Sequence, residues 1–237
     1  MIYNCLKNNQ WLNFGQLFRQ NCVLCASPEA TNNQTNGHAL CGACLNDLPY
    51  TPNTSCPQCG LSSNGLVCGS CMHSPPDFDA THSVFTYTFP IDAMMQRYKY
   101  GDALYLSYTF GQLLAEKVAT NSIDIIIPMP MHPTRLKERG FNQALEIAKF
   151  FAGNKLDYQS AIRQKLTPPQ ASLPLKERVK NIKGAFAMNA DLTGKKIAIV
   201  DDVMTTGASL NELAKSLKKA GASHVECWVI ARTLPAK

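Results

Sequence analysis

The cysteines divide this chain into two regions with different folding requirements. Of the ten cysteines in 237 residues, eight lie between Cys22 and Cys71 as four Cys-x-x-Cys pairs, and only Cys5 and Cys227 lie outside. Where thiols stay reduced, such pairs indicate metal binding more often than disulfides. The cysteine-rich stretch is also too short, and too rich in Asn, Ser, Thr and Gly, to bury an adequate core unaided. We therefore expect a small metal-stabilised module beside an ordinary globular domain.

The spacing of the four pairs predicts two tetrahedral zinc sites. Fifteen residues separate the first two pairs and eight separate the last two. Four thiolates from two such pairs are the usual ligands of a structural Zn²⁺ ion, so eight thiolates predict two ions. Pairing in sequence order would give two stacked ribbons, but pairing of the first pair with the third and the second with the fourth remains open. The predicted ligands are Cys22, Cys25, Cys41, Cys44, Cys56, Cys59, Cys68 and Cys71.

The positive charge is concentrated in the C-terminal part of the chain. The net charge is +6, yet residues 135–183 hold eleven Lys and Arg against four Asp and Glu, and residues 22–75 hold no Lys or Arg. Because a four-thiolate zinc site is itself negative and nucleic-acid phosphates attract cations, this pattern disfavours a DNA-binding zinc finger. It favours a module that docks a partner or shapes a site. The C-terminal domain is expected to meet a polyanion first, whether a diphosphate or a nucleic acid.

Three segments are predicted along the chain: a helical N-terminal segment at 1–20, a double zinc-binding module at 21–75 and an α/β domain at 76–237. Ser74-Pro75-Pro76 marks the last boundary, after which aromatic, apolar and charged residues mix. The N-terminal segment lacks the features of a signal peptide, and no apolar run approaches the roughly 20 residues that cross a bilayer. We therefore expect a cytoplasmic protein without membrane insertion.

Strand-like and helix-like segments alternate after residue 76. Short apolar runs bounded by Pro, Gly or charged residues predict strands, and apolar residues at helical spacing predict helices. The predicted strands are 84–87, 123–127, 197–200 and 225–231; the predicted helices are 91–118, interrupted near Gly101, a helix from 141 onward, and 210–217, capped by Gly221. This alternation predicts a mostly parallel sheet covered on both faces.

The segment from Ile197 to Ser209 carries the most specific signal. A buried strand leads to Asp201 and Asp202, and a loop of Thr, Gly and Ser then opens a helix. Backbone N–H groups and hydroxyls at a helix start favour a phosphate, and Gly207 lets the backbone approach it closely. The adjacent carboxylates suit hydroxyl groups and a divalent cation. A sugar phosphate satisfies both demands, and the alternative is an acidic turn before an ordinary N-capped helix.

Two basic stretches supply candidate anion contacts. Arg135 and Arg139 follow the predicted strand at 123–127 and are spaced to share one helical face, where forked donors suit a diphosphate. The stretch from Arg163 to Asn181 is also basic and contains three prolines, which is consistent with a mobile loop that closes over a site. For both stretches the alternative interpretation is a solvated cationic surface.

The 197–209 segment resembles the signature of type I phosphoribosyltransferases that binds 5-phosphoribosyl 1-pyrophosphate (PRPP). The resemblance implies that Asp201 and Asp202 contact the ribose hydroxyls, directly or through Mg²⁺. It also implies that Arg135 and Arg139 belong to the loop that holds the pyrophosphate. The residues implied to hold the 5′-phosphate are Thr205, Thr206, Gly207, Ala208 and Ser209.

Together with the cysteine block and Arg-x-x-x-Arg-Gly-Phe-Asn-Gln at 135–143, this segment makes nearly the whole chain similar to the ComF family of bacterial proteins. The resemblance implies a type I phosphoribosyltransferase-like domain, a part in natural competence, and contact with single-stranded DNA and competence-machinery proteins. Two hypotheses follow. One is a PRPP-dependent transferase, and the other is a non-catalytic DNA- or partner-binding module regulated through the PRPP pocket.

Overall fold

The computed structural model describes residues 21–28, 38–101, 103–166 and 181–235. The chain separates into two compact units, Met1–Leu48 and Pro49–Lys237. The sequence predicts a boundary near residue 75, whereas this division assigns Cys56, Cys59, Cys68 and Cys71 to the larger unit. The predicted helical segment at 1–20 lies outside the described residues. In the described ranges, every helix is too short or too polar to span a membrane.

The smaller unit is organised around its two cysteine pairs. The N–H of Cys22 donates to the carbonyl of Ser27 at 2.8 Å, which closes a tight turn around the first pair. The N–H of Val23 donates to the carbonyl of Ala39 at 3.0 Å and so brings the second pair alongside the first. The short helix α1 (Gly42–Asn46) begins directly after Cys41.

The larger unit contains a four-stranded parallel sheet and a separate two-stranded antiparallel pair. The strands of the sheet are β1 (Ala80–Thr86), β2 (Ile125–Pro128), β5 (Lys196–Met204) and β6 (His224–Arg232), and the pair is β3 (Ala161–Arg163) with β4 (Phe186–Met188). The sheet has the order β1-β6-β5-β2. All sheet strands thus end at one edge.

Helices cover the sheet as the sequence predicts. The α-helices described in full in this unit are α2 (Gly69–His73), α3 (Ile91–Tyr100), α4 (Leu106–Lys117), α5 (Pro133–Arg139), α6 (Gln143–Ala148) and α7 (Ala208–Lys219). Helices α4 and α6 pack on the sheet strands and on each other, while α7 packs on β4, β5 and β6. The predicted α/β class with a mostly parallel sheet is therefore confirmed.

Strand β5 shows why the strands of this sheet are apolar at consecutive sequence positions. Ile197 and Ile199 belong to one buried cluster with Leu213 and Leu217 of α7. Since side chains alternate along a strand, Ala198 lies on the opposite face, where it is also fully buried. Both faces of the central strands are covered, which removes the polar alternation of a half-exposed sheet.

The structure confirms one predicted break and differs from the sequence prediction at two boundaries. The helix expected over 91–118 with an interruption near Gly101 is α3 and α4, as predicted. The helix expected from 141 begins at Gln143, after the separate helix α5. Strand β5 continues to Met204 because β6 runs beside it through Arg232, so the acidic pair lies inside the strand. Gly221, with φ 100°, follows α7 as predicted.

Candidate functional site

Two adjacent carboxylates lie near the end of β5, at the carboxyl edge of the sheet. The Asp202 side chain is 12% exposed, and its Oδ2 lies 3.1 Å from Nζ of Lys99 at the end of α3. The Asp202 backbone N–H donates to Oδ1 of Asp201 at 2.9 Å. One cation and one backbone donor therefore hold the acidic pair in place.

The surroundings of the pair raise the pKa of Asp201 to about 7. Burial of this carboxyl is the largest cause, and the charge of Asp202 adds to it, whereas Lys99 and Arg163 lower the pKa. Burial lowers the pKa of Lys99, but attraction to Asp202 outweighs burial and raises it overall. Two carboxylates that repel each other in this way form a position where a divalent cation is stabilising.

The loop after the acidic pair presents backbone donors. Gly207, with φ 78° and ψ 1°, is the N-cap of α7, and the N–H of Ala208 donates to Oγ1 of Thr206 at 3.3 Å. Within the described ranges, the N–H groups of Thr205, Thr206 and Gly207 have no hydrogen-bond partner. Open amide donors at the start of a twelve-residue helix favour an anion. Residues 205–209, which the sequence predicts to hold a phosphate, are thus contiguous with the carboxylates.

The first basic stretch forms the short helix α5 beside this edge. Strand β2 pairs with β5, with Pro128 opposite Val200, so the chain that leaves β2 emerges next to the strand of the acidic pair. Asn142 joins the two ends of the segment between β2 and α6. Its Nδ2 donates to the carbonyl of Met129 at 3.1 Å, and its Oδ1 accepts from the N–H groups of Ala144 and Leu145 at the start of α6. The asparagine of the Arg-Gly-Phe-Asn-Gln motif therefore shapes the loop.

A cavity of about 370 Å³ lies between the end of α3 and α5. Arg139 is fixed at its wall, because Nη1 donates to Oε1 of Gln143 at 2.9 Å and the guanidinium lies 5.2 Å from the ring centre of Tyr100. Lys99, which binds Asp202, also lines the cavity, so the cavity and the acidic pair share a cation. The lining residues are Lys99, Tyr100, Gly101, Arg135, Glu138, Arg139 and Phe141.

The cysteines form two groups of four in sequence order, which decides between the pairings that spacing left open. In the smaller unit the group is Cys22, Cys25, Cys41 and Cys44, and in the larger unit it is Cys56, Cys59, Cys68 and Cys71. Within each group all Sγ atoms lie within 4.8 Å of one another. Tetrahedral zinc with Zn–S bonds of about 2.3 Å separates its sulfurs by about 3.8 Å. The Sγ distances of 3.7 Å between Cys25 and Cys41 and 3.6 Å between Cys59 and Cys68 fit that geometry.

In the second cysteine group, which consists of Cys56, Cys59, Cys68 and Cys71, hydrogen bonds favour the thiolate form of Cys56. Burial raises the pKa of Cys56, but backbone hydrogen bonds from Cys59, Cys68 and Gln58 outweigh burial and lower it to about 7. One of these donors, the N–H of Cys68, lies 3.3 Å from Cys56 Sγ. A metal ligand must be deprotonated, so these donors favour metal binding.

Comparison with known proteins decides the family. Residues 136–235 match the phosphoribosyl transferase domain. The chain is 32% identical over 225 residues to the DNA utilization protein YhgH of Salmonella typhi, which covers 90% of this chain and 97% of that protein. It is 29% identical over 231 residues to Competence protein F of Haemophilus influenzae, covering 91% and 98% respectively. This chain belongs to the ComF family.

Membership of the ComF family confirms the resemblance found in the sequence, and the matched domain confirms the phosphoribosyltransferase type of the fold. Among solved structures, the purine phosphoribosyltransferase from Pyrococcus horikoshii is similar, with 21% identity and a TM-score of 0.35. That alignment covers 54% of this chain and 74% of the other.

Lys99 and Arg163 are two further cations near the acidic pair of this ComF-family chain. Lys99 stands in an amphipathic helix far from every motif, and only the tertiary fold brings it to Asp202. Arg163 begins the second basic stretch, for which the sequence predicts a mobile loop, but it ends β3 and lies 5.7 Å from the ring centre of Phe186, where its charge acts on Asp201. The rest of that loop, 167–180, lies outside the described residues.

Asp201→Asn is expected to stabilise this ComF-family chain at pH 8 but hardly at pH 4. The folded-state pKa of about 7 exceeds the ordinary value of 3.8, so ionisation of Asp201 opposes folding. The penalty is absent below about pH 4, grows as the pH rises and is complete above about pH 7. Thermal unfolding should show a gain of about 5 °C at pH 8. An equal gain at both pH values would contradict the assigned environment.

Gly207→Ala is expected to weaken phosphate binding about tenfold and to cost about 1 kcal/mol of stability. An alanine here would have to adopt a left-handed φ of 78°, and its Cβ would lie 2.7 Å from Cε of Met204, so either the loop backbone or the Met204 side chain must shift. Gly194→Ala is the matched control, since Gly194 has φ 73° and open space for a Cβ. Denaturant titration should give similar losses for both variants, and calorimetry with PRPP should separate them.

Proposed function

We propose that this ComF-family protein binds PRPP with Mg²⁺ at the carboxyl edge of its sheet. The single observation that carries the proposal is the continuity of Asp201 and Asp202 with the open amides of Thr205, Thr206 and Gly207 on one strand and loop. Carboxylates accept from ribose hydroxyls, and amide donors hold a phosphate. Few ligands other than a phosphorylated sugar need both within a few residues.

Each part of PRPP has a matching group in this proposal. The 5′-phosphate is held by Thr205, Thr206, Gly207, Ala208 and Ser209, where the dipole of α7 adds to the amide donors. Asp201 and Asp202 accept hydrogen bonds from the 2′- and 3′-hydroxyls. Arg135 and Arg139 face the pyrophosphate from α5, together with Arg163 of the second basic stretch and with Lys99, which no sequence motif signals.

The residues present also fit Mg²⁺. A paired carboxylate site near a phosphorylated ligand is the usual way in which proteins hold this ion, because Mg²⁺ keeps several waters and takes few protein oxygens. Asp201 and Asp202 would hold it, directly or through water. When bound, Mg²⁺ neutralises charge on the pyrophosphate.

If the protein is an enzyme, the reaction is transfer of the phosphoribosyl group. A nitrogen nucleophile forms a bond to C1 of the ribose while the C1–O bond to pyrophosphate breaks, and the electron pair of that bond leaves with pyrophosphate. The cationic groups stabilise the charge that grows on the leaving group. The names of two relatives, DNA utilization protein YhgH and Competence protein F, support a role in natural transformation and the handling of single-stranded DNA.

A second candidate is a non-catalytic module that binds single-stranded DNA and uses the PRPP pocket for regulation. The observation in its favour is Tyr100, whose side chain is 72% exposed beside the cations of the cavity. An exposed ring next to cations offers stacking to a base and attraction to phosphate. Under this alternative, DNA affinity falls steeply with salt and is lost in Tyr100→Ala, without turnover.

Two structural Zn²⁺ ions complete the proposal, one in each group of four cysteines. The Sγ distances support this assignment, and four thiolates leave no open coordination position for catalysis. The proposed role of the ions is to stabilise short segments with little apolar core. Cytoplasmic location, where such thiols stay reduced, remains a prediction.

The test of the proposed function is calorimetric titration with PRPP and Mg²⁺. We expect saturable binding of one PRPP per chain, weaker binding of ribose 5-phosphate, and weaker binding of PRPP when Mg²⁺ is withheld. Failure to bind PRPP at millimolar concentration would refute the proposal. Release of pyrophosphate with a panel of bases and amines would then separate the transferase from the non-catalytic candidate.

A further inference from the structure

Arg232 is a buried cation whose described partners are all backbone carbonyls. It is the last residue of β6 and is 4% exposed. Nε donates to the carbonyl of Cys59 at 2.9 Å, and Nη1 donates to Met204 at 3.0 Å, to Thr233 at 2.9 Å and also to Thr205. No carboxylate forms an ion pair with it in the described part of the chain.

The carbonyls held by Arg232 set the direction of the phosphate-loop amides. In a planar trans peptide, the C=O of one residue and the N–H of the next point in opposite directions. Holding the carbonyl of Met204 therefore turns the N–H of Thr205 away from Arg232. Holding the carbonyl of Thr205 does the same for the N–H of Thr206. These are two of the open donors that the proposed function assigns to the 5′-phosphate.

The other end of the same guanidinium reaches the second cysteine group. Cys59 supplies the carbonyl that accepts from Nε, and its Sγ belongs to the group of four. The stem of Arg232 also packs on the turn after Cys59, where a Cβ on Gly60 would lie 3.6 Å from two of its carbons.

We propose that Arg232 is a positioning residue that makes phosphate binding by the 205–209 loop depend on the metal in the second cysteine group. With the four thiolates gathered around a metal, Cys59 is fixed and Arg232 is held between it and the loop. Without the metal, Cys59 is released, Arg232 loses one fixed acceptor, and the amides of Thr205 and Thr206 lose their common orientation. The proposal rests on the proposed function of that loop.

The test measures loop order and ligand affinity separately, on the full chain. Amide ¹⁵N relaxation of Thr205, Thr206 and Gly207 reports loop order without any ligand. Calorimetry with PRPP and Mg²⁺ reports affinity. Wild type is compared before and after removal and restoration of Zn²⁺, which requires no substitution. Two variants complete the set: Arg232→Lys keeps the charge but not the forked reach, and Cys71→Ser alters the cysteine group without touching Arg232.

We expect Zn²⁺ removal, Arg232→Lys and Cys71→Ser each to increase loop mobility and to raise the Kd for PRPP about tenfold. Cys25→Ser, in the other cysteine group, is the matched control and should change neither. Unchanged loop order after Zn²⁺ removal and in Cys71→Ser would overturn the coupling, even if Arg232→Lys loosens the loop. Increased mobility without a change in affinity would overturn the positioning role. If wild type binds no PRPP, the proposed function fails, and the loop-order measurements still decide the coupling.

Discussion

Asp202→Asn is expected to weaken binding of PRPP with Mg²⁺ by about 100-fold while the protein stays folded. A hydrogen bond or metal contact made by a charged carboxylate contributes about 1.5–3 kcal/mol, and its loss at this position removes both the contact and the charge that attracts Mg²⁺. The fold should survive because Asp201 remains beside Lys99 and balances its charge. Calorimetry at fixed Mg²⁺ gives the affinity, and far-UV circular dichroism checks the fold.

Glu116→Gln is the matched control for this change, because Glu116 is an exposed carboxylate of α4 and lines no described cavity. It removes the same unit of charge, so it separates a local contact from a general electrostatic effect. We expect its PRPP affinity to equal that of wild type within about twofold. Equal affinities for wild type and Asp202→Asn would show that the acidic pair does not contact the ligand.

Cys56→Ser is expected to lower the unfolding temperature of the larger unit by about 10 °C, which corresponds to about 3 kcal/mol. The second cysteine group is bonded to the sheet through three backbone carbonyls: those of Pro57 and Gln58 accept from Thr81 at 2.9 and 2.7 Å, and that of Cys59 accepts from Arg232. Loss of the metal loosens these carbonyls and leaves Arg232 incompletely satisfied. The sheet core does not include the cysteine group, so it should remain folded at 25 °C.

Fluorescence of Trp228, which is fully buried in the sheet, reports the unfolding of the larger unit if Trp11 is first replaced by Phe. Cys22→Ser is the paired variant, since its cysteine group belongs to the smaller unit. It should leave the Trp228 transition within about 2 °C of wild type. A transition unchanged in Cys56→Ser would mean that the second cysteine group does not stabilise the sheet.

The sequence predicted the parts of the fold that depend on local patterns. Ile197 to Val200 is apolar at every position because both faces of that strand are covered, and Gly221 follows α7 because the chain turns there with a positive φ. The antiparallel pair of β3 and β4 was missed because each strand has only three residues, too few to show an alternation.

The sequence predicted the residues of the candidate site that are close together in the chain, and it did not reveal those that come from distant elements. Asp202 and Thr205 are three residues apart, so one motif reveals both. Lys99 lies about 100 residues earlier in sequence and Arg232 about 30 later, and neither belongs to a motif that signals its partner. Their roles depend on which strand ends become neighbours, and a single sequence does not encode that in any local spacing.

The pairing of the four Cys-x-x-Cys pairs also could not be predicted from local spacing. Spacing alone allowed two pairings of the four Cys-x-x-Cys pairs, because each pair is a similar turn and the linkers are long enough for either. The division between Leu48 and Pro49 also has no signal in composition, since both sides are rich in polar residues. It follows from the hydrogen bonds that join Thr81 to Pro57 and Gln58.

The crystal structure of this protein with PRPP and Mg²⁺ bound tests the central claim most directly. The account predicts the 5′-phosphate within hydrogen-bond distance of the amides of Thr205, Thr206 and Gly207, and the ribose hydroxyls or Mg²⁺ beside Asp201 and Asp202. A 5′-phosphate bound elsewhere, such as in the cavity between Tyr100 and Arg139 with the 205–209 amides unoccupied, would contradict it.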